Sequence, residues 1–432
     1  MIDRLIGVIG TLAAVLGAVP AAAQDPTPAA VPARFSFRTD GQVIGAVVPV
    51  SPSETWLNPG NQVLRVPQTS WLAEVRVNAK VDAGSRLQFV LRPRVRGSVE
   101  VIRPDVAPTE RGHDLRFEMT ELFLDWRPTD ALSVTYGLQN YQWGPAEMMG
   151  PSNRIFHEVG IFRDPLYVVR GKHIVRVNVS AGKQWSLVGM VEPGATDEIP
   201  FRAGAAFRAA GQAKLEYTIP SGATYLGVTA GARGGEPPWA GTYVSVALTD
   251  NVSTYIDASV QVGSQAWYPA ETGSGGFAFV RNDRSGARRV LALGGLRYTF
   301  SPAFDARIEY LRQDAGYTRT QVTAESPLAV AQLQTRESVE QWLAPGLEFL
   351  GRDLMLVSVV ARDQAPAGRL DVQGRYVRSL TDGSGAGFVT ASLDVRNAWM
   401  LFGSLTLTHG PELAEFTRLA RAGGVVGLIW SW

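Results

Sequence analysis

Along most of this chain apolar and polar residues alternate one by one. From Trp71 to Asp82 one set is Trp71, Ala73, Val75, Val77, Ala79 and Val81, and the other is Glu74, Arg76, Asn78, Lys80 and Asp82. A period of two sends the sets to opposite faces of a β-strand. Asp82-Ala83-Gly84-Ser85 turns the chain. The next run sets Leu87, Phe89, Leu91, Pro93 and Val95 against Arg86, Gln88, Arg92, Arg94 and Arg96. Segments of this kind, each of about 9–13 residues, recur along the chain, as membrane strands do.

Alternation alone also fits a soluble sandwich, but sandwich strands typically run to about five or six residues. Aromatic residues near strand ends (Trp71, Trp126, Tyr136, Tyr243, Tyr255, Tyr298, Tyr310 and Trp399) suit the two interfaces of a bilayer. Short turns are expected near 82–85, 128–131, 180–183, 220–222, 250–252, 301–303, 363–368 and 396–398. Longer loops alternate with them near 50–70, 100–114, 144–168, 194–203, 234–239, 265–287, 314–351, 380–386 and 410–420. Pro345-Gly346 interrupts 338–351, which is therefore placed in a loop. The pattern predicts an all-β protein: a transmembrane, antiparallel, up-and-down β-barrel of about eighteen strands, starting near 34–49, with sixteen as the alternative. An even count returns both termini to the periplasmic side.

Composition narrows the function. Charged residues make up 19% of the chain, below the quarter or so of soluble domains. Lys plus Arg (41) balance Asp plus Glu (40), so no basic footprint for nucleic acid exists. With no cysteine there is no disulfide, thiolate metal site or thiol catalysis. His113, His157, His173 and His409 show no metal-ligand spacing, so neither metal nor cofactor is expected. At the start, Met1 to Arg4 precede an apolar run from Leu5 to Val19 and the small residues Ala21-Ala22-Ala23. That run falls short of the roughly 20 residues that span a bilayer as a helix, so 1–23 is expected to be a signal peptide. Residues 24–33, rich in Ala and Pro, are expected to be a flexible mature N-terminus, and 34–432 the barrel. No later stretch of eighteen apolar residues occurs. Only helices and closed barrels satisfy their backbone groups in lipid.

The signal segment, the alternating strands and the ending Val425-Val426-Gly427-Leu428-Ile429-Trp430-Ser431-Trp432 together resemble a Gram-negative outer-membrane barrel of the porin type. In that family the last strand ends in an aromatic residue, usually Phe, in a signal read by the barrel-assembly machinery. Trp432 fills this position. Leu428, Trp430 and Trp432 share a face of the expected barrel-closing strand, toward lipid. Tyr136 to Pro145 with Pro151-Ser152-Asn153, and Arg375 to Gly385, are similar to strand-to-loop segments of large barrels of uncharacterised or exporter type. The resemblance implies the outer membrane as location, with outer-membrane lipid, the barrel-assembly machinery and a small hydrophilic solute as partners. It leaves monomer and trimer both open.

Candidate pore-lining residues form a basic ladder. Arg86, Arg92, Arg94 and Arg96 recur on one face, Arg76 and Lys80 share the inward face of the neighbouring strand, and Arg170, Lys172 and Arg176 recur near 169–180. Such rows on a lumen wall would favour anions. Glu74, Glu118, Glu121 and Asp125 could equally neutralise them across strands. The candidate constriction loop is 145–165. It carries Glu147, Arg154, His157, Glu158, Arg163 and Asp164, with apolar Met148, Met149, Phe156 and Phe162. A loop holding that much apolar surface is expected to fold into the barrel rather than wave in water. His113-Asp114 and His409, with Ser404 one face away, lack the base and orienting group of a catalytic set, and phosphate-loop, Rossmann and zinc-protease motifs are absent, so no enzyme is expected. The expected role is a porin-like channel for diffusion of small hydrophilic solutes, with anion preference and charge pairing both open readings of the ladder. The alternatives are a plugged surface barrel that anchors or binds polysaccharide or partners through its loops, and an exporter subunit.

Overall fold

The computed structural model describes residues 35–55, 58–156, 160–194, 207–220, 224–271, 277–281, 286–322, 345–364, 369–396 and 398–432. The expected signal peptide, 1–23, and the flexible stretch, 24–33, lie outside the described residues. Eighteen antiparallel strands close into one barrel. They are β1 (Phe35–Pro52), β2 (Thr69–Ala83), β3 (Leu87–Ile102), β4 (Glu110–Thr129), β5 (Leu132–Gln139), β6 (Lys172–Ala181), β7 (Trp185–Glu192), β8 (Ala210–Thr218), β9 (Tyr225–Arg233), β10 (Trp239–Ala247), β11 (Val252–Val262), β14 (Arg288–Ser301), β15 (Phe304–Gln313), β16 (Asp353–Gln364), β17 (Leu370–Ser379), β18 (Gly385–Arg396), β19 (Trp399–His409) and β20 (Ala420–Ser431). Between β11 and β14, β12 (Trp267–Glu271) and β13 (Phe277–Arg281) pair only with each other. Successive barrel strands pair, β11 pairs with β14, and β1 pairs with β20.

Side-chain direction explains why the sheet closes. On β2, Trp71 and Val75 are exposed while Leu72 and Glu74 are buried. On β20, Val426, Leu428 and Trp430 point out while Val425 and Ile429 point in. An outer face so apolar needs lipid against it, and closure leaves no unpaired strand edge there. Among the described residues no helix is long and apolar enough to cross a membrane.

The seam between the ends shows the closure at residue level. Trp432 donates its N–H to Gly41 O at 3.1 Å and accepts from Gly41 N at 3.3 Å. Its indole lies flat over the bare backbone of Gly41, where a Cβ would overlap the ring. Gly41→Val should therefore weaken the seam by about 1–3 kcal/mol. The expected readout is a lower temperature for loss of the compact, heat-modifiable gel band. An unshifted transition would mean that the seam does not rely on this contact.

Eighteen strands agree with the pattern, but several boundaries move. The expected loop 100–114 shrinks, because β3 runs to Ile102 and β4 starts at Glu110. Their pairing continues without interruption from Gly97↔Leu115 to Ile102↔Glu110, so this hairpin rises past the apolar band. Loop 265–287 contains the β12–β13 hairpin. Residues 345–351 are irregular, as Pro345-Gly346 predicts, and 338–344 lie outside the described residues. Arg170 precedes β6 rather than belonging to it, and Arg86 sits in the β2–β3 turn. Two expected girdle residues are misplaced. Tyr243 and Tyr255 are fully buried and face inward, whereas Trp71, Trp126, Tyr136, Tyr298, Tyr310 and Trp399 are exposed on the outer wall. The reason is glycine. Tyr243 covers its cross-strand partner Gly227, and Tyr255 covers Gly295, filling the space that a missing side chain leaves on the inner face.

Candidate functional site: the barrel interior and its inserted segment

Residues 140–156 and 160–171, between β5 and β6, cross the interior. The Glu309 carboxylate on β15 accepts the N–H groups of Glu147 and Met148 at 2.6 and 2.7 Å. Asp257 on β11 accepts Ser152 N–H at 2.7 Å, and Gln212 and Thr229, on β8 and β9, donate to Ser152 O. Arg375 and Gln373 on β17 and Ser358 on β16 all donate to Glu147 Oε1, at 2.7, 3.0 and 3.1 Å. Arg76 on β2 donates to the carbonyls of Pro165 and Leu166 at 3.2 and 3.0 Å. A segment held by walls on all these sides must bridge the lumen.

Apolar contacts fix the same placement. Met148, Met149 and Ile161 pack on Leu291, Leu293, Leu311, Leu354 and Leu356 of β14–β16. Ile155 and Phe156 pack on Ile174, Val188 and Met190 of β6 and β7. Leu166 packs against Ile44, Leu72 and Ile429 at the seam. Wall leucines that would otherwise face water in the lumen thus gain a cover.

The candidate ladder is only partly one unit. Arg76, Arg92, Arg94 and Arg96 come together on β2 and β3, interleaved with carboxylates. Arg76 pairs with Glu74. Arg94 is buried between Glu118 and Glu74. Arg92 reaches Glu121 at 2.5 Å, and Arg170 reaches Glu118 at 2.8 Å. Lys80 lies 4.0 Å from Asp82. Lys172 and Arg176 stand on a different stretch of wall: Lys172 donates to Ile155 O and lies over Phe156, while Arg176 stacks on Tyr141 at 4.2 Å. Arg86 donates to Pro128 O between two turns and is not on the wall.

Of the candidate constriction residues, Glu147 is the most heavily held. Arg154 donates to Gln261 at 2.6 Å, Arg163 donates to Gln142 at 3.0 Å, and Asp164 accepts the N–H groups of Leu166 and Tyr167 at 2.8 and 2.9 Å. His157 and Glu158 lie outside the described residues. Leu428 and Trp430, on the closing strand, and Trp432, just after it, are exposed. Sequence reading missed Glu309, Asp257 and Arg375, the side chains that hold the inserted segment.

Three loops meet at the long-loop end. Buried Glu415 accepts the N–H groups of Leu350 and Gly351 at 2.8 and 3.2 Å, and its own N–H goes to Asp382 at 2.9 Å. Burial, and then the Asp382 charge, push the Glu415 carboxyl up to about 8. A carboxyl with a raised folded-state pKa holds its proton more tightly when folded, so its favourable contribution is complete at low pH and is lost as pH rises through about 8. Amide protection of 345–351 and 410–419, taken relative to the intrinsic exchange rate at each pH, should therefore fall between pH 5 and 8, a window of about three units. Glu415→Gln should flatten that dependence. An equal slope in both proteins would assign it to another group.

No protein-family model and no curated protein sequence matches the chain. Its shape does have solved counterparts. OccAB1 of Acinetobacter baumannii is 10% identical, with a TM-score of 0.53 over 91% of this chain and 96% of that one. OccD3 (OpdP) of Pseudomonas aeruginosa is 8% identical, with a TM-score of 0.54 over 97% of both chains. The fold is that of an outer-membrane porin. OccK2 (OpdF) of P. aeruginosa, solved in complex with glucuronate, is 10% identical, with a TM-score of 0.51 over 91% of this chain and 97% of that one. Identities this low establish the fold and nothing finer. In a porin the short turns face the periplasm and the long loops face outside. The inserted segment enters from the long-loop end of the barrel.

Proposed function

We propose that this barrel is an outer-membrane channel for small hydrophilic solutes that carry a carboxylate. The observation that carries the reading is the pairing of a lumen-crossing segment with an arginine-rich wall. The segment narrows the barrel, and Arg76, Arg92, Arg94, Arg96 and Arg170 stand on or beside the wall it faces. Against these five and Arg176 are Glu74, Glu118, Glu121, Asp125 and the segment's Asp164, which leaves an excess of one positive charge. A narrow polar passage with that sign lowers the barrier to anions. Guanidinium groups also offer paired donors that match a carboxylate. The glucuronate bound to OccK2 is a solute of this class.

The plugged-barrel reading draws on one observation. Phe349 and Phe416, from two outer loops, join the same apolar cluster as Met148, so the outer mouth is also covered on that side. Planar-bilayer recording separates the two. A channel gives stepwise conductance and a reversal potential, in a salt gradient, of anion-favouring sign. Absence of steps would sink the channel reading. Cation preference would sink the role given to the arginines.

A further inference from the structure

The outer wall of β15–β19 carries a charged feature that conduction does not use. On β19 the outward residues Trp399, Leu401, Leu405 and Leu407 are exposed and apolar, and His409 is the first polar side chain above them. On β17 the outward series ends Tyr376, Arg378. Register puts Arg378 opposite Gly385, and Gly385 opposite His409. At this level of β17–β19 the outward apolar series gives way to Arg378 and His409, with Leu380 exposed beyond them.

The geometry there is a shallow shelf. Gly385 is its floor, because a Cβ at that position would meet His409 Nε2 and Tyr376 Oη. The Tyr376 and His409 rings stack across it, 5.9 Å apart and 8° from parallel, with Tyr376 Oη 2.9 Å from His409 Nε2. Arg378 stands beside them, exposed. The neighbouring Arg312 is already engaged, its Nη1 donating to both Asp353 carboxylate oxygens at 2.9 and 2.8 Å. Among the described residues Arg378 has no carboxylate partner. Adjacent strands lie about 4.8 Å apart, so the Arg378 and His409 backbones are separated by about 10 Å, a gap that one tetrahedral anion can bridge between two long side chains.

A guanidinium with no carboxylate partner among the described residues, on an apolar outer wall, calls for an anion at the same depth. The lipid interface supplies one as a phosphate, which takes charge-assisted hydrogen bonds from arginine and hydrogen bonds from imidazole and phenol. We infer that Arg378, His409 and Tyr376 form an outward-facing site for the phosphorylated headgroup of an outer-leaflet lipid. Its acyl chains would lie along the apolar outer wall below, over Tyr376 and Leu407. The site faces away from the lumen and does not depend on whether the barrel conducts.

The test uses the full barrel in phosphatidylcholine nanodiscs doped with diphosphorylated lipid A, with bound lipid counted by native mass spectrometry. Wild type should retain lipid A and release its dephosphorylated form. Arg378→Gln should weaken retention about tenfold, the loss of one hydrogen bond to a charged group. His409→Gln should weaken it less. Arg111→Gln, on the remote β3–β4 hairpin, should change nothing. Heat-modifiable gel mobility and bilayer conductance should be unaltered in all three, which shows that they fold. Equal retention by wild type and the Arg378→Gln, His409→Gln double variant would overturn the inference, as would equal retention of the dephosphorylated lipid.

Discussion

Glu309→Ala should release the inserted segment and give a larger, noisier single-channel conductance. Glu309 is almost fully buried in the wall and accepts three donors: the N–H groups of Glu147 and Met148, and the hydroxyl of Tyr255 at 2.6 Å. Arg307 lies 3.5 Å from the same carboxylate. Truncation strands all these partners in a site that water enters poorly. Each buried donor left unsatisfied costs about 1–3 kcal/mol, and an uncompensated buried charge about 3–5 kcal/mol. Arg307 can fall back on Glu147, 3.7 Å away, which lowers the second figure. A net loosening of about 2–4 kcal/mol is expected. Asp257 and Arg375 remain as anchors, so the segment should detach at 145–149 first and stay tied at Ser152. Adding Asp257→Ala should free it further. Glu309→Gln keeps the shape and one acceptor oxygen and should fall between. Hydrogen exchange over 144–155 reads the same event independently of current. If both exchange and conductance match wild type, Glu309 does not hold the segment.

The wall was legible because a period of two is a local signal, and the outer face of a membrane strand repeats it without interruption. Trp71, Val75 and their neighbours could be assigned from twelve residues of sequence. Parity would also have corrected Tyr255. It shares its face with Asp257, Ser259 and Gln261, while exposed Ile256 and Val260 hold the other. Aromatic identity outweighed parity there and misled. The inserted segment was half legible. Its own apolar residues marked it as packing on something, and β14 and β16 carried the matching signal. Leu291 and Leu293 face inward with Val290 and Leu296 outward, so both faces are apolar, which a water-lined wall would not tolerate. What stayed hidden was the clamp. Glu309 lies 162 residues from Glu147, and Asp257 lies 105 residues from Ser152. No local pattern distinguishes those carboxylates from any other inward-facing acid; only closure of the barrel brings them to the segment. The β12–β13 hairpin was hidden for a different reason: five-residue strands are too short for alternation to stand out.

Removing positive charge from the ladder should reverse ion preference, but only at the right positions. Arg92 and Arg170 keep about half of their side chains exposed (47% and 42%), so their charge reaches permeating ions. Arg94, 5% exposed between Glu118 and Glu74, is part of the wall's structure. Arg92→Gln, Arg96→Gln and Arg170→Gln together leave Glu118 and Glu121 facing the passage, and the local excess turns negative. A unit charge about 8 Å from an ion contributes about 0.5 kcal/mol in bulk water and about four times that at the effective dielectric of a protein surface. Three such changes should move the anion-to-cation permeability ratio by at least about tenfold. The shift must also be salt-dependent, since the screening length falls from about 10 Å at 0.1 M to about 3 Å at 1 M. Reversal potentials at both concentrations separate field from shape: a field effect shrinks at high salt, and a change in passage width does not. Arg94→Gln should behave in the opposite way. It takes the shared guanidinium from buried Glu74 and half-buried Glu118, which keep Arg76 and Arg170 as second partners, so the cost is about 1–3 kcal/mol and the heat-modifiable transition should fall. Any selectivity change there would come from a disturbed wall and would persist at 1 M salt, where screening is strong. If the triple variant keeps its anion preference at low salt, the arginines serve the wall alone, as Arg94 does, and selectivity comes from elsewhere along the inserted segment.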